Sequence, residues 1–540
     1  MQNSIITLLP PIIVITLAFF THRIISSLVI GLLTASLIYN NFAIIDSIKN
    51  VIKVIWDTSQ LQNLTSINGL FESNSILLFL FLIILGILIT LLSHSGGSQA
   101  FQNYINKKIK TSQGAQMASL LLSKLFSIDD SFSCVSVGSI MRPITDKFKV
   151  SRTKLAFLIN SLAPALAVLI PISSWSAIII LNINNAKISD ILKTKPLIYC
   201  DPFYLYLGVI PFTFYSIITI LSSWFIIKKN ISFGILKKHE TIANSTGNLF
   251  GGKEPDKIKD QELTTPENQA HIFDFIFPII SLISSIVIFM LYTGKFFLFG
   301  GSNNFIAAIK DSHPVLALML GSLFTLLLTL ILLKIRKTIK LKNLGLITYE
   351  GAMLLAPAII TLILAWSFSE ILNSQLLTGK YLASVLLKYV NLKFLPLMML
   401  LITTIISIGI GSAWGAMAIM IPIAVNMLAS FTNIESPIPV QQLPMIYPLL
   451  GAILSGAVSG NHLSPTSDTI IISSRSCGIK LIDLVKAQAA YSFPVLFSSA
   501  IAFLLSGLII EITPLPLVFA ISLFSGLFTN FIILKIRNKN

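Results

Sequence analysis

Charge is what this chain has little of. Only 11% of its 540 residues are Asp, Glu, Lys or Arg, less than half of the ~25% usual for soluble domains. Hydrophobic residues make up 54%, and the mean hydropathy is +0.85. One water-soluble core could not bury that much apolar side chain, which excludes an ordinary soluble domain. Cysteine is scarce too. Cys134, Cys200 and Cys477 show neither a CxxC spacing nor a pairing pattern. A disulfide scaffold and a thiolate metal site are therefore excluded, and the three read as small buried hydrophobes. HExxH is absent, and so is a Walker-type lysine. GIGSAWG (409–415) spaces its glycines like a phosphate loop, but no Lys-Ser/Thr follows and no strand precedes it. The N-terminus, MQNSIITLLPPIIVITLAFFTHR, lacks a basic leader and a small-residue cleavage site. It is expected to be a retained first span.

Long apolar runs are what the chain does have. A helix needs roughly 20 apolar residues to cross the hydrocarbon. Candidate spans are 4–21, 24–40, 76–93, 153–182, 203–227, 272–293, 314–333, 348–374, 442–474, 487–511 and 516–534. Two more stretches are interrupted: 112–141 by SIDDS and 394–428 by GIGSAWG. Most of the 38 Lys and Arg fall in clusters at 107–110, 142–154, 228–259, 334–342, 475–486 and 535–539. Such clusters mark the cytoplasmic side, so the net charge of +16 reflects orientation rather than a nucleic-acid partner. Clusters flank 112–141 at both ends, so that segment is expected to enter and leave on the inside. Following the spans forward puts both ends of 394–428 outside. If both stretches simply spanned, one strongly basic loop would lie outside.

The expected fold class is an all-α polytopic membrane protein of about 11 transmembrane helices plus two re-entrant hairpins in inverted-topology repeats. The expected organisation is an extra N-terminal span (1–23), a first inverted repeat (24–227) with hairpin 112–141, and a cytoplasmic linker (228–271), flexible over 237–271. A connecting span (272–313), a second inverted repeat (314–511) with hairpin 394–428, and a C-terminal span with a basic tail (512–540) follow.

Chemistry is expected where polar residues interrupt the membrane: SIDDS, then Asn160 and PISSWS (171–176), then GIGSAWGAM, then SGNHLSPTSDTIIISS (459–474). Irregular backbone at that depth needs protein or water around it. Pro164, Pro171 and Pro465 break helices and free carbonyl oxygens. Hydroxyls, carbonyls and carboxylates form a hard, oxygen-rich site suited to sodium and protons. The candidate ion-binding and proton-coupling residues are Asp129, Asp130, Asp468, Ser173, Ser174, Ser412, Ser464 and Thr466, with sodium as the metal they would hold. A carboxylate in hydrocarbon needs a proton or a cation beside it, and competition between the two is sufficient for exchange. Adjacent helical residues point about 100° apart. One of Asp129 and Asp130 is thus expected to face the ion, with Asp130 favoured. The other would cap the next half-helix or pair with Lys124. Asn160, His462, Glu370, Trp175 and Trp414 are secondary candidates, each with a packing or interfacial alternative. His462, Ser464 and Asp468 hold the parts of a hydrolytic triad, but positions i and i+2 of one helix lie on different faces. An intramembrane aspartyl enzyme would need a GxGD pattern, which is missing. No enzyme activity and no cofactor are expected.

These same residues carry a resemblance. DDSFSCVSVGSIMRPITDKFKVSRTKLAFLI (129–159), APALAVLIPISSW (163–175), LILAWSFSEILNSQLLTGKYLASVL (362–386), GSAWGAMAIMIP (411–422) and GNHLSPTSDTIIISS (460–474) resemble the NhaC family of sodium/proton antiporters. The resemblance implies a secondary transporter of the ion-transporter superfamily, with inverted repeats, two hairpins and elevator-type movement. It also implies sodium ions and protons as partners. A bacterial inner membrane is expected, with 228–271 and the C-terminus cytoplasmic by their basic clusters, and a homodimer is left open. The family usually has Gly-Asp-His where this chain has Gly460, Asn461 and His462, and an aromatic and an asparagine where it has Ser131 and Ser133. One carboxylate is thus an amide. The family also contains exchangers of malate and lactate coupled to sodium, the leading alternative.

Overall fold

The computed structural model describes residues 4–21, 23–65, 69, 71, 73–191, 196–252, 271–338, 344–378, 381, 391–431 and 436–539. They form a helical, polytopic membrane fold. The first helices are α1 (Leu9–Thr21), α2 (Ile24–Tyr39), α3 (Ile44–Ser59), α4 (Asn74–His94) and α5 (Gly97–Lys108). Then come α6 (Ser112–Leu125), α7 (Asp130–Lys147), α8 (Arg152–Ala167), α9 (Ser174–Asn185), α10 (Pro202–Val209), α11 (Phe214–Lys229) and α12 (Gly234–Thr246). The remainder are α13 (Phe273–Thr293), α14 (Phe305–Lys310), α15 (Pro314–Ile335), α16 (Leu344–Glu370), α17 (Leu395–Ile410), α18 (Ala413–Phe431), α19 (Ile446–Leu463), α20 (Asp468–Cys477), α21 (Leu481–Ile509) and α22 (Leu515–Lys539). Three two-residue parallel strands, β1 (Ile188–Ser189), β2 (Ile198–Tyr199) and β3 (Ile438–Pro439), tie the segment after α9 to the segment before α19.

Among the described residues, eight helices are long and apolar enough to cross a membrane, and the bent pair α10–α11 would make a ninth. The rest of the expected spans are short or broken: α1 and α2, and the pairs α8–α9 and α19–α20. Burial orders the bundle. The apolar windows of α4 and α18 are 83% buried and that of α22 is 28% buried, so α4 and α18 are interior and α22 forms the rim.

Lipid supplies no hydrophobic drive between helices, so close packing uses small residues. Gly456 and Gly460, one turn apart on α19, press against α17: an added Cβ would lie 2.7 Å from the Leu400 carbonyl and 2.4 Å from Ser407 Cβ. Thr404 and Ser459 hydroxyls meet at 2.7 Å across this seam, and Ser407 Oγ donates to the Ala457 carbonyl at 2.8 Å.

Packing partners recur in two sets. α6 and α7 both pack on α8, and α17 and α18 both pack on α19. α7 also packs on α20, the second half of the other set's broken helix, and α18 packs on α9.

One expectation needs correction. The segment expected as a flexible linker begins with an ordered helix, α12, whose Leu236, His239 and Ala243 are buried against α8 and α21. Lys154 Nζ lies 3.4 Å from Glu240, and Thr153 Oγ1 lies 2.8 Å from His239 Nδ1. Its mixed composition hid an amphipathic face, which docking stabilises. Residues 253–270 lie outside the described residues.

Candidate functional site

Four helix interruptions meet in one place. They are 126–129 between α6 and α7, 168–173 between α8 and α9, 411–412 between α17 and α18, and 464–467 between α19 and α20. At the first, Asp129 is the N-cap of α7: Oδ1 accepts from Phe132 N at 2.8 Å. Its other oxygen accepts from Ser174 Oγ at 2.9 Å, at the start of α9. Ser174 N in turn donates to the Ile128 carbonyl at 2.8 Å. The α7 and α9 N-termini are thus joined through one carboxylate. Ser173 caps α9 in a capping box with Ser176. At the third break Gly411 adopts φ +71°, and a Cβ there would meet Thr466 Oγ1 at 2.5 Å. Ser412 Oγ accepts from Gly415 N at 3.3 Å, and Ser464 Oγ lies 3.0 Å from Thr466 Oγ1. The second pair of breaks is therefore also in contact.

The two pairs are brought together by α7 and α20, which run parallel. Gly138 leaves room for Ser476, whose Oγ would sit 2.2 Å from an added Cβ and donates to the Cys134 carbonyl at 3.0 Å. Cys134 lies beside Ser473, and Asp130 lies within electrostatic reach of Asp468. Contacts thus advance together along both helices: 130 with 468, 134 with 473, 138 with 476. Both aspartates stand at N-terminal helix positions, side by side. Helix N-termini carry partial positive charge and favour anions. Among the described residues no ion pair joins Asp129, Asp130 or Asp468 to a basic side chain, and Lys124 is exposed.

Asp129 and Asp130 are buried, whereas Asp468 is exposed although protein surrounds it. Ser131, Val135 and Ser139 on α7 and Asp468, Ile472 and Arg475 on α20 are at least partly exposed. Helical spacing puts both stripes on the same side of the parallel pair. A carboxylate facing hydrocarbon costs several kcal/mol, so the opening beside Asp468 reads as aqueous. Asn461 holds this end rigid: its Oδ1 accepts from Ser467 Oγ at 2.8 Å and Thr469 Oγ1 at 2.6 Å.

The model of the family described as the Na+/H+ antiporter family matches residues 166–508, well over half of the chain. The chain belongs to this Na+/H+ antiporter family. The resemblance drawn from the sequence is thus shown, and with it a secondary transporter rather than an enzyme. An uncharacterized protein of Haemophilus influenzae is 28% identical over 512 residues, covering 94% of this chain and 91% of that protein. A malate-2H(+)/Na(+)-lactate antiporter of Bacillus subtilis is 29% identical over 121 residues, 22% of this chain and 24% of that protein. Among solved structures, Neisseria gonorrhoeae MtrF, described with a class of antimetabolite efflux pumps, superposes with a TM-score of 0.51 at 13% identity, over 85% of this chain and 83% of MtrF. That likeness concerns the fold.

Within this member of the antiporter family, Asp129, Asp130, Ser173, Ser174, Ser412, Ser464, Thr466 and Asp468 all lie at the four breaks. Trp175 is buried, and its indole nitrogen interacts with Asp130 electrostatically while making no hydrogen bond of ordinary geometry. Trp414 is half-buried at the start of α18. Asn160 is buried with both amide atoms unpartnered. His462 is buried, with Nδ1 3.0 Å from the Tyr215 hydroxyl. Glu370 stands elsewhere, exposed at the end of α16. Several freed carbonyls have partners already: Ala167 accepts from Ser173 Oγ, Ile408 from Ser464 Oγ and Val168 from Tyr206 OH. Ser173 and Ser464 therefore tie helix ends, leaving only their lone pairs for a cation. Sequence reasoning left Ser467, Thr469 and Gly138 out of the candidate set. A glycine eight residues after the aspartate on a polar half-helix was the one available signal.

Proposed function

We propose that this chain exchanges sodium for protons, through a site at the four breaks built from Asp129, Asp130, Ser173, Ser174, Ser412, Ser464, Thr466 and Asp468. The observation that carries the reading is three clustered carboxylates at helix N-termini with no ion pair, among the described residues, to a basic side chain. Like charges a few ångströms apart repel by several kcal/mol at the effective dielectric of a protein. Helix N-termini each offset only ~0.3–1 kcal/mol, up to ~2 when buried. The balance requires a proton or a cation, and either one satisfies it. Exchange follows when the two compete for the same oxygens. Asp468, open to water, gives an ion access. Asp130 beside it completes the cage. Asp129, committed to Phe132 and Ser174, holds α7 and α9 in place.

The reciprocal packing of the two helix sets supports an inverted repeat, 24–227 and 314–511, that would let the breaks alternate between the two faces. The basic clusters support a cytoplasmic location for 228–271 and the C-terminus in a bacterial inner membrane. A second reading has one support of its own. Convergent helix N-termini also suit a carboxylate substrate, and the Bacillus relative is named for malate and lactate.

Everted vesicles carrying the chain, with a trapped pH dye, test the first reading. Sodium should release the pH gradient, and Asp468→Asn and Asp130→Asn should each abolish that release with expression retained. Vesicles in which sodium moves no protons would sink the proposal. Labelled lactate or malate moving only with a sodium gradient would favour the second.

A further inference from the structure

A cavity of about 480 Å³ lies beyond the breaks, along the helices that begin there. Asn185 ends α9 and lines it; so do Ala418, Pro422 and Asn426 of α18. α16, which follows the basic cluster at 334–342, delivers Glu370 to its wall after 27 helical residues, ~40 Å away. The cavity is therefore across the membrane from that cluster. Its lining is polar, and Lys53 and Lys187 balance Asp57 and Glu370. With a share of ~30 Å³ per water it holds about 16. A room of that size and neutrality takes a small hydrated solute without selecting its sign.

On the side toward the breaks stands an indole. Trp366 of α16 lines the cavity, is 3% exposed, and stacks on Phe79 at 5.9 Å. Its Nε1 donates to Asn182 Oδ1 on α9 at 2.6 Å. Asn182 is fully buried and its Nδ2 has no partner. It lies eight residues beyond Ser174, ~12 Å along α9. Ala418 lies five beyond Ala413, ~7.5 Å along α18. The cavity and the breaks thus lie along the same pair of helices, with the indole–amide bond between them on α9.

We propose that this cavity is the external vestibule of the transport path, and that the Trp366–Asn182 hydrogen bond is its gate. Opening frees the Asn182 carbonyl oxygen from the indole, and that oxygen and the already unpartnered Nδ2 turn to an arriving hydrated solute. The direction rests on the orientation given under the proposed function.

The full chain with Cys134→Ala, Cys200→Ala and Cys477→Ala, in right-side-out vesicles, tests it with a membrane-impermeant thiol reagent. Asn426→Cys, partly exposed on the cavity wall, reports the cavity, and Ile178→Cys, one turn inside Asn182 and buried, reports what lies beyond. Asn426→Cys should label from outside. Ile178→Cys should label slowly, and about tenfold faster with Trp366→Phe, as expected when one hydrogen bond holds a pre-equilibrium. The phenyl ring keeps the stacking on Phe79. Asn182→Ala, which removes the acceptor alone, should accelerate labelling likewise and keeps the test decisive if Trp366→Phe does not fold. The gate is overturned if neither variant changes the Ile178→Cys rate. The vestibule is overturned if Asn426→Cys labels only from the side of the basic clusters, or not at all. Labelling needs no transported ion, so failure of sodium–proton exchange and failure of the gate are read separately.

Discussion

Asp129 and Asp130 are neighbours in sequence, and their substitutions should behave differently. The comparison that isolates this is alanine against asparagine at each position. Both replacements remove the charge, so relief of repulsion from the other aspartates is common to them and cancels. What differs is hydrogen bonding. At position 129, asparagine keeps an oxygen for Phe132 N, now 2.8 Å from Oδ1, and a polar group facing Ser174 Oγ, now at 2.9 Å. Alanine keeps neither. The lost N-cap is worth about 1 kcal/mol and the lost neutral hydrogen bond about 1 kcal/mol more. Asp129→Asn should therefore be about 2 kcal/mol more stable than Asp129→Ala. At position 130 the side chain accepts from Ser131 N, its immediate neighbour, at 2.9 Å, and faces the Trp175 indole without a hydrogen bond of ordinary geometry. No N-cap is lost at 130, so Asp130→Asn and Asp130→Ala should differ by less, about 1 kcal/mol or under. Unfolding of the purified chain in mixed micelles, titrated with a denaturing detergent, measures all four. Equal stability of the two Asp129 variants, or a larger gap at 130 than at 129, would refute the division of roles.

Two further predictions concern packing. Gly138→Val would drive a side chain into Ser476, whose Oγ would lie 2.2 Å from the new Cβ; overpacking of this kind costs about 1–3 kcal/mol. Exchange should fall sharply, and adding Ser476→Gly should recover part of it in the same vesicle assay, whereas full activity of Gly138→Val alone would contradict the parallel α7–α20 contact. Glu240→Ala leaves Lys154, whose side chain is 2% exposed, with only the Ile231 carbonyl at 3.3 Å. The loss should be on the order of 2–3 kcal/mol, below the ~3–5 of a fully buried pair because Glu240 is itself 22% exposed. Lys154→Met with Glu240→Ala should regain most of it in detergent melting, and a double variant no better than the single one would count against the pairing.

The class of this protein was legible from composition alone. A chain with so few charges and such long apolar runs has no soluble way to fold, and lipid permits only structures that satisfy their own backbone. The four interruptions were legible for the same reason: a serine, proline or aspartate at that depth stands out against leucine and isoleucine. Asp129, Asp130 and Asp468 were therefore visible as candidates before any coordinate was known. The linker was misread where a docked helix, α12, carries a polar composition, because its stability comes from surfaces elsewhere in the chain.

Tertiary structure alone decided which interruptions meet and what each residue does there. Residues 130 and 468 are more than 300 positions apart, and nothing in hydropathy says that α7 and α20 run parallel. That follows from Gly138 admitting Ser476, a fit between two surfaces. Hydropathy reads one residue at a time against lipid. The separation of Asp129 from Asp130, the tying of carbonyls by Ser173 and Ser464, and the Trp366–Asn182 bond all depend on directions of side chains from different helices. Those directions are fixed by packing, and packing is a property of pairs.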